Sequence, residues 1–159
     1  MNKIESFKVD HTKFGVGMYI SRKDGDVVTY DVRMTKPNGG VYLETPAMHT
    51  IEHLFATYAR NTKFSDSIVY VGPMGCRTGF YLLTRDSVSN EDAIKLVKDA
   101  FQFIADYEGE IPGRSEIECG NWKEHDLDGA KKSVLPLLEV LRITAQLTRP
   151  GVIRLNSLT

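Results

Sequence analysis

The most regular pattern of hydrophobic and polar residues lies in segment 45–61, TPAMHTIEHLFATYARN. At 100° per residue it predicts an amphipathic helix, because the apolar residues fall on one stripe that a helix buries. That stripe is formed by Ile51, Leu54, Phe55 and Tyr58. Thr45 is the expected N-cap, Pro46 suits the first helical turn, and Asn61 can close the helix.

The rest of the chain alternates between strand and helix patterns. Runs rich in β-branched and apolar residues predict strands at 26–34, 67–72 and 80–85. A capping-box-like SNED at 89–92 opens a second helix that runs to about residue 107, and a last helical segment begins near Asp126. Pro136 predicts a kink or break in that segment. Without regular βαβ alternation, the pattern favours one α+β domain over 1–159, a mixed or antiparallel sheet packed against helices.

Composition and charge narrow the function classes. The 159 residues are 42% hydrophobic and 26% charged, with a net charge of −1, so the charge gives no indication of nucleic acid or an anionic membrane as a partner. No apolar run is long enough for a transmembrane helix, and the N-terminus has no signal-peptide pattern. Two cysteines are too few for a disulfide scaffold. A cytoplasmic protein is therefore expected.

The polar face of the first predicted helix carries candidate metal chemistry. His49 and His53 are four residues apart, so their imidazoles stack on one face and can share a metal ion. Glu52 lies on the same face, either as a third ligand or as a base beside the metal. The candidates for a third ligand are Cys76, Cys119, His125, Asp126 and Glu52. A thiolate with two imidazoles suits zinc or ferrous iron, and an open fourth position makes such a site catalytic.

Cys76 is a candidate for separate chemistry. It lies in PMGCRTG, a glycine-containing turn after an apolar strand, where side chains often face a cleft. The neighbouring Arg77 would favour the thiolate if it points the same way.

Three other functions fit part of the pattern. H-x-x-E-H is also the signature of inverted zinc metallopeptidases, although this chain is short for a peptide-binding cleft. A non-catalytic, metal-stabilised interaction domain would need all four metal positions filled by protein, and no C-x-x-C pair is present. A cysteine hydrolase using Cys76 with His11 or His125 would leave His49 and His53 unexplained.

Several blocks together resemble the S-ribosylhomocysteine lyase (autoinducer-2 synthase, LuxS) family. They are ESFKVDH, YDVRMTKPN, HTIEHLFA, GPMGCRTGFYL and ECGNWKEHDLDGAK, in this order and spacing, and they reach to about residue 135. The stretch from about Leu135 and the KPNGG turn are less typical of the family. His125 and Asp126 match a family block, and we interpret them as a helix start, with Asp near the positive end of the helix dipole.

The resemblance implies a homodimer of α+β subunits, with a metal site on a helix at each of two equivalent sites in the dimer interface. His49, His53 and Cys119 would hold one Fe²⁺ per subunit, with zinc or cobalt able to substitute. Cys76 and Glu52 would be the general acid and base. Ser6, His11 and Arg33 would line the substrate pocket, and Arg60 is a further candidate for the homocysteine end.

The implied substrate is S-ribosylhomocysteine, and the implied products are L-homocysteine and 4,5-dihydroxypentane-2,3-dione, the autoinducer-2 precursor. Cleaving this thioether without redox chemistry requires the sugar carbonyl to move from carbon 1 to carbon 3. Homocysteine can then leave by β-elimination. Each step moves protons between neighbouring atoms, which requires positioned acids and bases.

Overall fold

The computed structural model describes residues 1–4 and 7–147, with the backbone alone for 144–147. Its four strands form one antiparallel sheet in the order β1-β2-β4-β3. The strands are β1 (Gly17–Asp24), β2 (Val27–Arg33), β3 (Ile68–Pro73) and β4 (Gly79–Arg85), and a short 3₁₀ helix (Ser65–Ser67) precedes β3. The helices are α1 (Thr45–Ala59), α2 (Asn90–Ala105), α3 (Leu127–Ser133) and α4 (Leu135–Leu147). The α+β class is confirmed.

Strand β1 was not predicted from the sequence. Its first half is buried or half-buried, whereas its last three residues are exposed. The register with β2 also shifts between Ile20 and Arg22, as at a β-bulge. Both features interrupt the strict alternation that identifies a half-buried strand.

The observed ends of α1 differ in part from the predicted ones, whereas the start of α2 agrees with the prediction. The N-cap of α1 is Glu44 rather than Thr45, and no side chain caps this end, whereas Pro46 does lie in the first turn. At the other end the C-cap is Arg60, and the Asn61 amide donates to the Thr57 carbonyl. In contrast, the predicted cap of α2 is confirmed, because the Ser89 side chain accepts from the Asp92 N–H.

The expected break in the last helical segment is also confirmed. It falls at Val134, the C-cap of α3, and Pro136 lies in the first turn of α4. Backbone N–H groups in the first turn of a helix have no partner within the helix, so proline, which lacks this N–H, is tolerated there.

The core holds α1 in one rotational setting. Ile51, Leu54 and Phe55 are completely buried, and Tyr58 is half-buried. The Phe55 ring packs 6.2 Å from that of Phe80 on β4 and 5.4 Å from that of Phe101 on α2. The predicted apolar stripe of α1 therefore lies between the sheet and α2.

The two faces of the sheet have different environments, because successive side chains of a strand point to opposite faces. The face under the helices carries fully buried side chains: Tyr30, Val32, Phe80 and Leu82. The other face lines a cavity with polar and aromatic side chains: Thr29, Asp31, Arg33 and Tyr81. Within the described ranges, no helix is both long and apolar enough to cross a membrane.

Close packing at Gly79 should make the β2–β4 pairing sensitive to a single methyl group. A Cβ at this position would lie 2.0 Å from the Val32 carbonyl oxygen. We expect Gly79→Ala to lower the free energy of unfolding by about 1–3 kcal/mol, measured by urea denaturation at fixed protein concentration. Gly75→Ala is the matched control, because its Cβ would meet nothing within 4 Å. Equal stability of the two variants would contradict this packing.

Candidate functional site

The side of α1 that faces away from the core presents His49 and His53 to the loop before α3. Each ring is fixed by a backbone carbonyl in that loop. His49 Nδ1 lies 2.7 Å from the Glu124 oxygen, and His53 Nδ1 lies 2.7 Å from the Pro112 oxygen. Since a carbonyl can only accept, each Nδ1 must carry the proton. Each Nε2 therefore keeps a free lone pair, which is the usual preparation of a metal-binding histidine.

Gly113 allows this close approach of the loop to α1. Its φ of +72° lies in the left-handed region, which favours glycine. A Cβ at this position would also lie 3.2 Å from His53 Nδ1. A larger residue would thus disturb both the loop and the histidine ring.

Cys119 and His125 complete a cluster that we call the metal cluster: His49, His53, Cys119 and His125. One ligand atom from each residue lies within 4.8 Å of the others. The Cys119 sulfur is 3.4 Å from His49 Nε2. Nitrogen and sulfur donors in this arrangement fit a zinc or ferrous ion. The Glu52 carboxylate, although on the same side of α1, is not part of the cluster.

His125 was one of the candidates for a third ligand, and it lies in the metal cluster, although we had interpreted its sequence block as a helix start. Its ring stacks on His49 with centroids 4.0 Å apart, and its Nδ1 lies 2.9 Å from the Thr50 hydroxyl. Burial, together with the nearby imidazoles of His49 and His53, lowers the pKa of His125 to about 4. It is therefore neutral at pH 7. The helix start at Asp126 is confirmed, since its carboxylate accepts from the Gly129 N–H.

Cys76 lies elsewhere, at the mouth of a cavity of about 370 Å³. His11 and Arg33, two of the predicted substrate-pocket residues, line the same cavity. Arg33 Nη1 lies 3.7 Å from the Cys76 sulfur, and the Thr78 hydroxyl lies 3.1 Å from it. His11, Arg33 and Cys76 therefore line one cavity of a single chain, and their binding of a substrate there stays a prediction.

The environment of Cys76 favours its thiolate. Burial raises its pKa, but hydrogen bonds from Thr78 and the positive charge of Arg33 together outweigh that effect and hold the pKa below its usual range. The expected contribution of Arg77 is not found. Its side chain donates to the Leu43 carbonyl and lies over the Tyr42 ring. The cation beside the thiol is Arg33, 43 positions away in the sequence.

The metal cluster and the Cys76 cavity are separate within one chain. The cavity is lined by none of the four cluster residues and lies on the face of the sheet that points away from the helices. Helix α1 packs on the other face and carries the histidines on its far side. In one chain the metal cluster and the Cys76 cavity therefore lie on opposite sides of the sheet.

A family model described as S-Ribosylhomocysteinase (LuxS) matches residues 4–146. A curated S-ribosylhomocysteine lyase of Finegoldia magna is 50% identical over 135 residues, covering 82% of this chain and 86% of that protein. Those of Phocaeicola vulgatus and Borreliella burgdorferi are 50% and 47% identical, each covering 89% of this chain and 91% and 93% of the relative. The chain belongs to the S-ribosylhomocysteinase (LuxS) family. The resemblance noted in the sequence is confirmed.

The remaining residues expected from the LuxS resemblance lie at different places. Glu52 is half-buried on α1 between the two histidines. Arg60 is exposed at the end of α1, and its guanidinium donates to the carbonyls of Ile68 and Val69 rather than lining the Cys76 cavity. Ser6 lies outside the described residues.

The two cysteines of this LuxS protein should differ in their effect on metal content. We expect Cys119→Ala to lose most bound metal, because it removes one of the clustered donors, and Cys76→Ala to keep one metal per chain. Elemental analysis of the purified variants measures this directly. Loss of metal from Cys76→Ala, or full retention in Cys119→Ala, would contradict the separation of the metal cluster from Cys76.

Proposed function

We propose that the protein is an S-ribosylhomocysteine lyase that cleaves S-ribosyl-L-homocysteine to L-homocysteine and 4,5-dihydroxypentane-2,3-dione, the autoinducer-2 precursor. The observation that carries the proposal is the family match over residues 4–146, together with lyases about half identical over most of the chain. The site adds chemical support, since the chain holds both a metal cluster and a separate activated thiol. Neither a metallopeptidase nor a structural metal domain requires that thiol.

His49, His53 and Cys119 are the proposed ligands of one Fe²⁺ per subunit, for which zinc or cobalt can substitute. Two imidazoles bound at about 2.0–2.1 Å to one tetrahedral ion have ring centres roughly 5 Å apart. The His49 and His53 centroids, 4.8 Å apart, fit that spacing, and so do those of His53 and His125, also 4.8 Å apart. The stacked rings of His49 and His125, 4.0 Å apart, are too close for both to bind one tetrahedral ion in these orientations. We choose His49 as the ligand because, like His53, its Nδ1 is held by a backbone carbonyl, and we assign His125 to packing against it, which leaves the fourth position for substrate. A bound divalent ion supplies Lewis-acid stabilisation of negative charge on the sugar oxygens.

Cys76 and Glu52 are the proposed acid and base. Moving the carbonyl from carbon 1 to carbon 3 takes protons from one carbon or oxygen of the sugar and returns them to another. The Cys76 sulfur can accept such a proton as a thiolate and return it as a thiol, which its lowered pKa favours. The Glu52 carboxylate, beside the metal cluster, can do the same from the other side. Removal of the last proton lets the homocysteine thiolate leave.

His11 and Arg33 are proposed to bind the substrate inside the Cys76 cavity, together with Ser6. The His11 ring is oriented by its Nδ1, 2.9 Å from the Val9 carbonyl, and by Phe14, 5.5 Å between centroids. Arg60, on the same helix as the metal cluster, is proposed to contact the homocysteine end. These roles divide the substrate between the metal cluster and the Cys76 cavity, which we propose to be two halves of one site.

That division supports a homodimer. Cys76 and Glu52 cannot both reach one small sugar if the sheet separates them, so we propose that the metal cluster of one subunit meets the Cys76 cavity of the other. A C₂ dimer makes two such sites with one interface. Exposed apolar side chains offer surface for such a contact: Phe7, which lines the Cys76 cavity, and Val41, Val69 and Tyr70. No nucleic acid or membrane partner is proposed.

A cytoplasmic location is proposed from the cysteines. Both Cys76 and Cys119 are free cysteines, and free cysteines persist in a reducing compartment.

The activity is tested by release of free thiol from S-ribosylhomocysteine, using protein anaerobically loaded with iron. We expect catalytic release by the native protein and a loss of about 10²–10⁴-fold in Cys76→Ala and in Glu52→Gln, because each removes one proton-transfer group. Arg77→Met is the control, since Arg77 is adjacent to Cys76 but directed to Leu43. No release from protein that holds one metal per chain would exclude the lyase.

A further inference from the structure

A buried ion pair lies behind Cys76. Asp31 and Arg33 of β2 are each 3% exposed, and Arg33 Nη2 donates to Asp31 Oδ2 at 2.9 Å. Their spacing of two residues on a strand puts both side chains on the same face, toward the Cys76 cavity. Removing one partner of a buried pair leaves an uncompensated charge, so neither side chain is replaceable without effect.

The Arg33 guanidinium is held from three sides. Its Nη1 donates to the Thr78 hydroxyl at 2.7 Å and faces the Cys76 sulfur at 3.7 Å. The Phe14 ring covers its flat face at 5.2 Å. Asp31 accepts from Nη2, whereas Nε is buried and has no hydrogen-bond partner among the described residues. Of these contacts, that with Asp31 is the only one to a carboxylate, and it fixes how the planar guanidinium is turned toward the sulfur.

Electrostatics alone would give Asp31 the opposite effect. A negative charge in this cavity repels a thiolate and, acting by itself, makes Cys76 harder to ionise. By orienting Arg33, Asp31 has the opposite effect: it keeps a positive charge beside the sulfur, which makes Cys76 easier to ionise. The two effects of Asp31 therefore differ in sign, and an experiment can tell them apart.

We propose that Asp31 is a positioning residue for the lyase reaction, which holds the Arg33 guanidinium against the Cys76 sulfur and so keeps that sulfur in its proton-accepting form. The role rests on the proposed function of Cys76 as acid and base. Asp31 itself touches neither the sulfur nor the reacting atoms. It acts through Arg33.

The surroundings of the pair contain few other charges. Burial raises the pKa of Asp31, and the charges of Arg33 and His11 oppose that rise. The remaining titratable side chains that line the cavity are Arg22 and Tyr81. His11, Arg22 and Tyr81 are unchanged in all the variants described below, and the Asp31 variants also keep Arg33, so they differ from the native protein only at Asp31.

The test is the pH dependence of alkylation of Cys76 by iodoacetamide in the metal-loaded protein, followed on the Cys76 peptide by mass spectrometry. In Asp31→Ala we expect the pKa of Cys76 to rise toward its value in Arg33→Met, and the alkylation rate at pH 7 to fall several-fold. Asp31→Asn keeps an oxygen that accepts from Nη2, so its alkylation profile should stay at or below the native pKa. The kcat of the lyase reaction should follow the same order. Asp26→Ala, which breaks the exposed pair with Arg85, is the control and should match the native protein.

A fall in the pKa of Cys76 in Asp31→Ala, or no change, would overturn the proposal, because Asp31 would then act by charge alone or not at all. If Asp31→Ala does not fold, Asp31→Ser gives the same test, since its hydroxyl is too short to reach Nη2. Alkylation needs no substrate, so failure of the lyase function itself would leave this result readable.

Discussion

The packing of one face of α1 against the sheet and α2 is the constraint on which the rest of the structure depends. Ile51, Leu54 and Phe55 are completely buried there, and this sets the rotation of the helix about its axis. Once the apolar stripe of a helix is buried, the direction of the side chains on its opposite face is fixed as well. His49 and His53 are therefore directed to the loop before α3, where two carbonyls orient their rings and Cys119 joins them.

The antiparallel sheet imposes a second division. Alternate residues of β2 serve the helix-covered core and the open cavity, so Tyr30 and Val32 pack under the helices while Asp31 and Arg33 build the pocket of Cys76. Metal chemistry and thiol chemistry are thus placed on opposite sides of the same layer. In the proposed lyase reaction, a substrate as small as a ribosyl thioether needs both groups at once, which is why we propose that a second subunit brings them together. The outer side of α1 also differs from that of an ordinary surface helix, because the loop before α3 covers its histidines.

Periodicity and motif spacing were sufficient to predict the parts of the site that lie on regular elements. The apolar stripe of α1, the pairing of His49 with His53 and the break before Pro136 follow from local patterns. Such patterns are predictable because they depend only on residues that are close together in the sequence. The placement of His125 was not predictable in this way, because it comes from an irregular loop whose path is set by tertiary contacts with Thr50 and His49. Sequence adjacency was misleading at Arg77. Its φ of +59° turns the chain at this point, and Arg33 from another strand takes the place beside Cys76.

Complementation between two inactive variants tests the central claim, that each site combines the metal cluster of one subunit with the Cys76 cavity of its partner. Cys76→Ala keeps an intact cluster, and Cys119→Ala keeps an intact cavity. Co-expressed with different tags and purified as mixed dimers, they should form one complete site per heterodimer. An unselected mixture should then recover about a quarter of native activity, since half the dimers are mixed and each has one of two sites. Complete inactivity of folded, metal-loaded mixed dimers would contradict the account, because it would place the metal cluster and Cys76 of one chain in the same site.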